Sequence, residues 1–600
     1  MALGDHGARF ADVEPLADSV ARWAEERPDT PAYTFVDYGT DRAGRKTTLS
    51  WADVHRLACA TAARLRRSAA PGERVVLLLP QGLEYLTTML GAMYARLIAV
   101  PLFSPDLPGQ ADRLVRAYAD AGAAVAVTTS SRLLDVRAFF GDHGLPRPRD
   151  LVTADTIEPA EWNCEPGPLD DTAYLQYTSG STREPAGVEV SHRNVAVNAR
   201  QLWAHFGVDG GPRGGQRRVV LVSWLPLFHD MGFITTLAAP ITHGAHAEFT
   251  EPMAFIRNPA RWLKLASDHR DAEVLTVAPN FAYEYCLSRA QAEEGLDLRS
   301  LRWCLNGAEP VRRRTLDRFT AAFGPKGLPS AALSPCYGLA EATVFVTAVP
   351  GDSPPRYLTV DPEALATGVV RLCSADAERP ACLVSCGTPT GQHVAIVDPE
   401  THRELPDDRV GEIWVHGPNV ARGYWRKPAH TREIFAARLQ SPADGVPAGP
   451  WLRTGDLGVI HEGELYVAGR LKDLIIVDGR NHFPQDIEAT VQGVHQAVRP
   501  DHVAAFAIEG ETAERLVVVA ERSPRIPRGA LDLEEIHRAV RNAIGVVHQL
   551  AVHDFVFVRP GGVPRTSSGK VARTACKQRY LNGELPVIQA GGSHGGPTEE

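Results

Sequence analysis

The sequence predicts an α/β protein of two domains: a large N-terminal domain of layered sheets and helices, then a small α+β domain. Three observations predict it. The 600 residues exceed what one compact core supports. Short, nearly continuous apolar runs alternate with amphipathic helical patterns along most of the chain. Near residues 469–473 that alternation gives way to a shorter set of strands and a helix.

The elements follow in order. Residues 74–80 (RVVLLLP) form an apolar run ending at a proline, the pattern of a strand buried on both faces. Leu83, Leu86, Leu90, Met93 and Leu97 recur at helical spacing and make one apolar face. Strand-like runs recur at 219–225, 274–278 and 301–305, so a mostly parallel sheet covered by helices is expected. No repeat of fixed period is present. Past the junction, 502–508, 516–520 and 555–558 read as strands. Residues 533–544 read as a helix with Ile536, Val540 and Ile544 on one face. The expected domains are 1–471 and 472–585, with a Gly-rich tail at 586–600 that lacks the apolar residues to fold.

Composition narrows the function classes. The net charge is −9 and the arginines are scattered, which excludes a nucleic-acid-binding surface built on clustered cations. The most apolar stretch, 75–103, is interrupted by Gln81, Glu84 and Arg96, so no transmembrane segment is expected. The opening residues carry early acidic groups and no long apolar run, unlike a signal peptide. The nine cysteines contain no CxxC pair, and reduced structural thiols in a cytoplasmic protein are the expectation.

The strongest chemical signal is YLQYTSGSTREPAG at 174–187. An apolar strand runs into Thr178, Ser179, Gly180, Ser181 and Thr182, a loop of small hydroxyl residues around a glycine. Such a loop lets backbone N–H groups and hydroxyls close on phosphate oxygens. Read alone it is equally an ordinary turn. It lacks the GxxxxGK[ST] spacing of a P-loop.

The loop resembles the phosphate-binding motif of the adenylate-forming (ANL-type) superfamily, which includes acyl-CoA synthetases, peptide-synthetase adenylation domains and luciferases. The resemblance continues in family order through WLPLFHDMGF (224–233), NGAEPV (306–311), YGLAEAT (337–343), RTGDLG (453–458), GRLKDLI (469–475) and PRTSSGKVAR (564–573). It implies ATP and Mg²⁺ as cofactors, since ATP and a carboxylate are both anionic and need added positive charge to meet. It implies Glu341 as the Mg²⁺ ligand with Thr178 as helper, because Mg²⁺ favours hard oxygen donors alongside phosphate. Tyr337 and Gly338, with Gly307, Ala308 and Glu309, would receive adenine. Asp456 would accept the ribose hydroxyls, and Arg470 would either donate to the ribose or pin the hinge. Lys570 would bridge the attacking carboxylate and the α-phosphate. His229 would face the carboxylate or the α-phosphate; otherwise it is a hydrogen-bonded core histidine. Lys472 falls at the pivot about which the family's small domain rotates between half-reactions.

Within the superfamily the chain resembles the fatty acyl-AMP ligases. Arg183 and Ala186 stand where synthetase loops carry glycine and lysine, and HFPQDIE (482–488) matches the ligases. Residues 351–384 make a longer segment than synthetases carry, where such ligases have an insertion thought to hinder the rotation that admits CoA. The resemblance implies a medium- or long-chain fatty acid as substrate and a separate holo-acyl carrier protein as acceptor. The alternatives are a fatty acyl-CoA synthetase, peptide-synthetase adenylation and a catalytically silent nucleotide- or lipid-binding scaffold.

Overall fold

The structure, a computed structural model, describes residue 10 and residues 12–588, apart from 107–110, 164–166, 178–184, 209–217, 292, 375, 378–379, 478–479, 511–513, 528, 530 and 567–569. It divides into two compact units: Met1–Leu358 with Cys382–Thr454 and Gly458–Val467, and Thr359–Ala381 with Gly455–Leu457 and Ala468–Glu600.

The first unit contains the predicted buried strands. One sheet has six strands in the order Asp150–Thr153, Val125–Thr128, Arg74–Leu77, Ile98–Pro101, Thr172–Tyr177, Gly187–Ser191. All pair in parallel except the last two, which form an antiparallel hairpin. Val75, Val76 and Leu77 are fully buried, as a strand covered on both faces requires. The following helix spans Leu83–Tyr94, shorter than the spacing of Leu97 implied. Arg96 takes a left-handed φ of 54°, and the Leu97 N–H reaches back to the Ala92 carbonyl at 2.9 Å. That closes the helix and turns Leu97 into the strand Ile98–Pro101.

The second sheet of this unit has nine strands, in the order Thr388–Pro389, Phe345–Ala348, Leu333–Gly338, Leu301–Gly307, Glu273–Pro279, Val219–Ser223, His246–Thr250, Pro31–Asp37, Arg45–Ser50. Its centre is parallel and its margins antiparallel. Parallel strands end together, so the residues following Gly307 and Gly338 emerge at one carboxyl edge, where open α/β sheets bind ligands.

The second unit is built on a three-stranded sheet, Val498–Ile508, Arg515–Arg522 and Val552–Val558. Alternate residues of its strands enter two cores. One core includes Ile487 and Val491 of the helix Pro484–Val494 with Ile536, Val540 and Ile544 of Leu533–His548. The other includes Cys576 of the helix Arg573–Leu581. The expected tail begins at 586, yet Ile588 is buried and donates its N–H to Phe557. Packing therefore continues through Ile588. The short helix Pro362–Ala366, from the longer segment, packs on the strand Arg480–His482 of this unit.

Candidate active site

In the first unit, the strand Thr172–Tyr177 delivers the hydroxyl loop. Thr178, Ser179, Gly180, Ser181 and Thr182 lie outside the described residues. Their anchorage is visible. Tyr177 donates its hydroxyl to Asp120 at 2.6 Å, and Arg113 donates to the Tyr177 carbonyl at 3.2 Å. Burial and the adjacent Asp120 push the Tyr177 phenol well above its usual range, so it remains a donor.

Gln176, also at the end of that strand, donates to the Phe228 carbonyl at 2.9 Å. This fastens the His229 loop beside the strand Thr172–Tyr177. Gln81 holds the same loop from the other side: it donates to Leu225 and Thr250 carbonyls at 3.0 and 2.8 Å and accepts from the Leu227 N–H at 3.1 Å. His229 itself pairs through Nδ1 with Asp230 at 2.6 Å. Trp224, Met231, Phe233 and Ile234 are buried in the main core and Phe228 packs against it.

The carboxyl edge of the nine-stranded sheet carries the expected adenine platform. Gly307 has no room for a side chain, since a Cβ would lie 2.6 Å from Cys336 Sγ, and Ala308 follows with φ 65°. Gly338 is equally constrained, its Cβ position lying 1.6 Å from the Val344 carbonyl oxygen. Tyr337 is 8 % exposed, so little of its ring face is open. Glu309 has a structural task that sequence reasoning did not assign: its carboxylate accepts from the Phe281 N–H at 2.5 Å, at the start of the helix Asn280–Arg289.

Glu341 sits on the one-turn 3₁₀ segment Ala340–Ala342 and accepts from the Tyr424 hydroxyl at 2.8 Å. A buried amide network holds this turn. Asn419 donates to the Ala342 carbonyl at 3.1 Å and to Gln392 Oε1 at 2.7 Å; Gln392 donates to Val346 and Asn198 to Phe345. Thr343 is forced to φ 68°, a costly conformation for a β-branched residue, and its hydroxyl bonds the Asn419 carbonyl at 2.7 Å. Among the described residues no group of three or more His, Cys, Asp or Glu side chains could enclose a metal. One carboxylate completed by substrate phosphates is what Mg²⁺ ordinarily takes from a protein, so Glu341 fits it.

The remaining expected residues belong to the second unit. Asp456 is 8 % exposed and accepts from Arg470 Nε at 3.1 Å, so Arg470 already orients the carboxylate. Lys570 lies on a short hairpin stem, where Arg565 pairs with Val571: its N–H donates to Thr566 Oγ1 at 3.1 Å and its carbonyl accepts from the Thr566 N–H at 2.8 Å. Arg573, at the exit of that hairpin, grips Glu488 through two bonds of 2.6 and 2.7 Å and reaches Asp473 at 3.3 Å. Sequence reasoning missed Gln81, Asn419, Tyr424 and Arg573.

No helix among the described residues is long and apolar enough to cross a membrane. Residues 20–425 match the family described as AMP-binding enzyme, and residues 472–590 match the Disco-interacting protein 2-like AMP domain. The chain is 44 % identical over 567 residues to the long-chain-fatty-acid–AMP ligase FadD26 of Mycobacterium marinum, covering 93 % of this chain and 95 % of that one. It is 42 % identical over 612 residues to the 4-hydroxyphenylalkanoate adenylyltransferase of Mycobacterium tuberculosis, covering 98 % and 95 %. Among solved structures, it resembles the fatty acyl-adenylate ligase from L. pneumophila in complex with acyl adenylate and pyrophosphate, with TM-score 0.71, 35 % identity and coverage of 96 % and 98 %. With this similarity along nearly its whole length, the chain belongs to the AMP-binding enzymes and, among them, to the fatty acyl-AMP ligases.

Proposed function

We propose that this enzyme joins a medium- or long-chain fatty acid to AMP with release of pyrophosphate, then passes the acyl group to the phosphopantetheine thiol of a separate acyl carrier protein. The observation that carries this reading is the Glu341 turn, braced at the same sheet edge as Gly307 and Tyr337, in a chain 44 % identical to a long-chain-fatty-acid–AMP ligase. A fatty-acid carboxylate oxygen attacks the α-phosphorus, the bond to the β-phosphate oxygen breaks, and pyrophosphate leaves. Lys570 stabilises the charge shared by the incoming carboxylate and the α-phosphate oxygens. His229, its ring fixed by Asp230, faces the same oxygens. Tyr337, Gly338, Gly307 and Ala308 receive adenine, while Asp456, oriented by Arg470, accepts the ribose hydroxyls. Glu341, with Thr178, would hold a magnesium ion, which neutralises phosphate charge when bound. We place the enzyme in the cytoplasm, where ATP is supplied.

The domains act as 1–471, holding ATP and the acyl chain, and a small domain from 472 through the packed residue Ile588, delivering Lys570 by rotation about Lys472. The segment at 351–384 opposes the orientation that would admit CoA; packing of its helix Pro362–Ala366 on Arg480–His482 supports this reading. Arg183 and Ala186 disfavour the acyl-CoA synthetase alternative. The test is a mass-spectrometric product assay with ATP, fatty acids of graded length and hydroxyphenyl-alkanoic acids, each with CoA or holo-carrier protein. Acyl-AMP accumulation and transfer to the carrier alone is the expected result. Robust acyl-CoA formation would refute the ligase assignment, and no pyrophosphate exchange with any acid would refute adenylation.

A further inference from the structure

The residue joining the phosphate hairpin to the Glu341 turn is Tyr424. Its backbone bridges Val188 on the return strand Gly187–Ser191 of that hairpin. Flanking bonds extend the pairing: Glu189 N–H to the Gly423 carbonyl at 2.9 Å, Arg422 N–H to Glu189 at 3.0 Å and Trp425 N–H to Gly187 at 2.7 Å. From this added strand its phenol reaches Glu341 Oε1 at 2.8 Å, while the Ala421 N–H binds the Glu341 carbonyl at 2.9 Å. The ring is clamped too. It stacks on His430 at 4.5 Å and meets Phe435 edge-on at 5.1 Å.

We propose that Tyr424 is a positioning residue for magnesium-dependent nucleotide binding, fixing the plane of the Glu341 carboxylate relative to the strand that carries the phosphate loop. The proposal rests on the reading of Glu341 as magnesium ligand. Two effects of the phenol oppose each other. Its hydrogen bond draws electron density from Oε1 and weakens that oxygen as a donor. It also removes the carboxylate's rotational freedom. Orientation wins, because Mg²⁺ demands near-ideal octahedral geometry and tolerates misplaced ligands poorly.

The test is calorimetric titration with α,β-methylene-ATP, which cannot form an adenylate, in excess Mg²⁺ and again in excess chelator. Tyr424→Phe removes only the hydroxyl; it is expected to bind about tenfold more weakly with Mg²⁺ and equally well without it. His430→Ala removes the stacking partner but keeps the hydroxyl. It controls for general loosening and should retain the Mg²⁺ enhancement even if its thermal midpoint falls. Glu341→Gln should lose the enhancement. If Glu341→Gln loses it and folded Tyr424→Phe keeps it, the positioning role is wrong while the ligand reading stands. Unchanged enhancement in Glu341→Gln would overturn the ligand reading and the proposal with it. Equal weakening of Tyr424→Phe with and without Mg²⁺, or the same loss of enhancement in His430→Ala, would reduce Tyr424 to a packing residue.

Discussion

The turn carrying Glu341 and the hairpin carrying Lys570 are secured by opposite means. Around Glu341 the bracing groups are neutral: Asn198, Gln392 and Asn419 amides, the Thr343 hydroxyl and the Tyr424 phenol. Around the Lys570 hairpin the brace is ionic, with Arg573 held by Glu488 and Asp473. Neutral amides pair donor with acceptor in fixed directions, so they set a loop's shape without a net charge to desolvate. A buried ion pair is held by both charges together and is vulnerable to losing either. The comparison teaches that one turn is locked by geometry and the other by charge balance.

Removing one partner of the ionic brace should break the comparison most sharply. Arg573→Leu leaves Glu488, 3 % exposed, without its guanidinium and should lower stability by about 3–5 kcal/mol in a denaturant titration. Arg573→Leu combined with Glu488→Leu should recover much of that loss. A single variant costing under about 1 kcal/mol would show that the pair is no brace.

Next in size is Lys570→Ala. Its side chain is proposed to act on charge that develops only in the reaction, so adenylate formation should slow by about 10²–10³-fold while nucleotide binding is little changed. Normal pyrophosphate exchange in this variant would remove Lys570 from the chemistry.

Asn419→Leu tests the neutral side. It strips the donors from the Ala342 carbonyl and Gln392 Oε1 and should cost about 1–3 kcal/mol in unfolding free energy. A loss as large as that of Arg573→Leu would erase the distinction drawn between the two braces.

The last effect is a pH dependence elsewhere in the first unit, small at each step of pH. His246 bonds Thr34 Oγ1 at 2.9 Å and lies 3.1 Å from an Arg218 nitrogen; burial, then the Arg218 charge, pulls its pKa down to about 4. In the unfolded chain it titrates near 6.5, so the unfolded state takes up the proton first. Stability is unaffected above that value and declines as pH falls from about 6.5 to 4, by at most about 1.4 kcal/mol per pH unit. His246→Gln should lessen, not abolish, the fall of the thermal midpoint over that window, because His192 and His205 of the same unit are also buried and pulled down to about 4. An unchanged acid slope would mean the decline arises at other groups.

Much of the fold was legible because burial writes itself into sequence. Strands covered on both faces read as unbroken apolar runs, as at 74–77, and Ile536, Val540 and Ile544 mark a helix face by spacing alone. The end of the helix at Tyr94 was not legible, since Arg96 in a left-handed conformation leaves no compositional trace where glycine is expected. Nor was the order at Pro586–Ile588, which depends on Val587 pairing with Val558 at a strand edge far back in the sequence.

The sequence by itself determined the chemistry on offer: which groups can meet phosphate, metal and carboxylate, and in what order along the chain. Only the tertiary structure decided how those groups are held. Glu309 became a helix-start acceptor, Asp456 acquired Arg470, and Glu341 acquired a phenol 83 positions away. The physical reason is that a motif records residue types at short spacing, whereas orienting a carboxylate takes a donor from another strand. Sheet pairing brings that donor within 3 Å, and no local pattern records it.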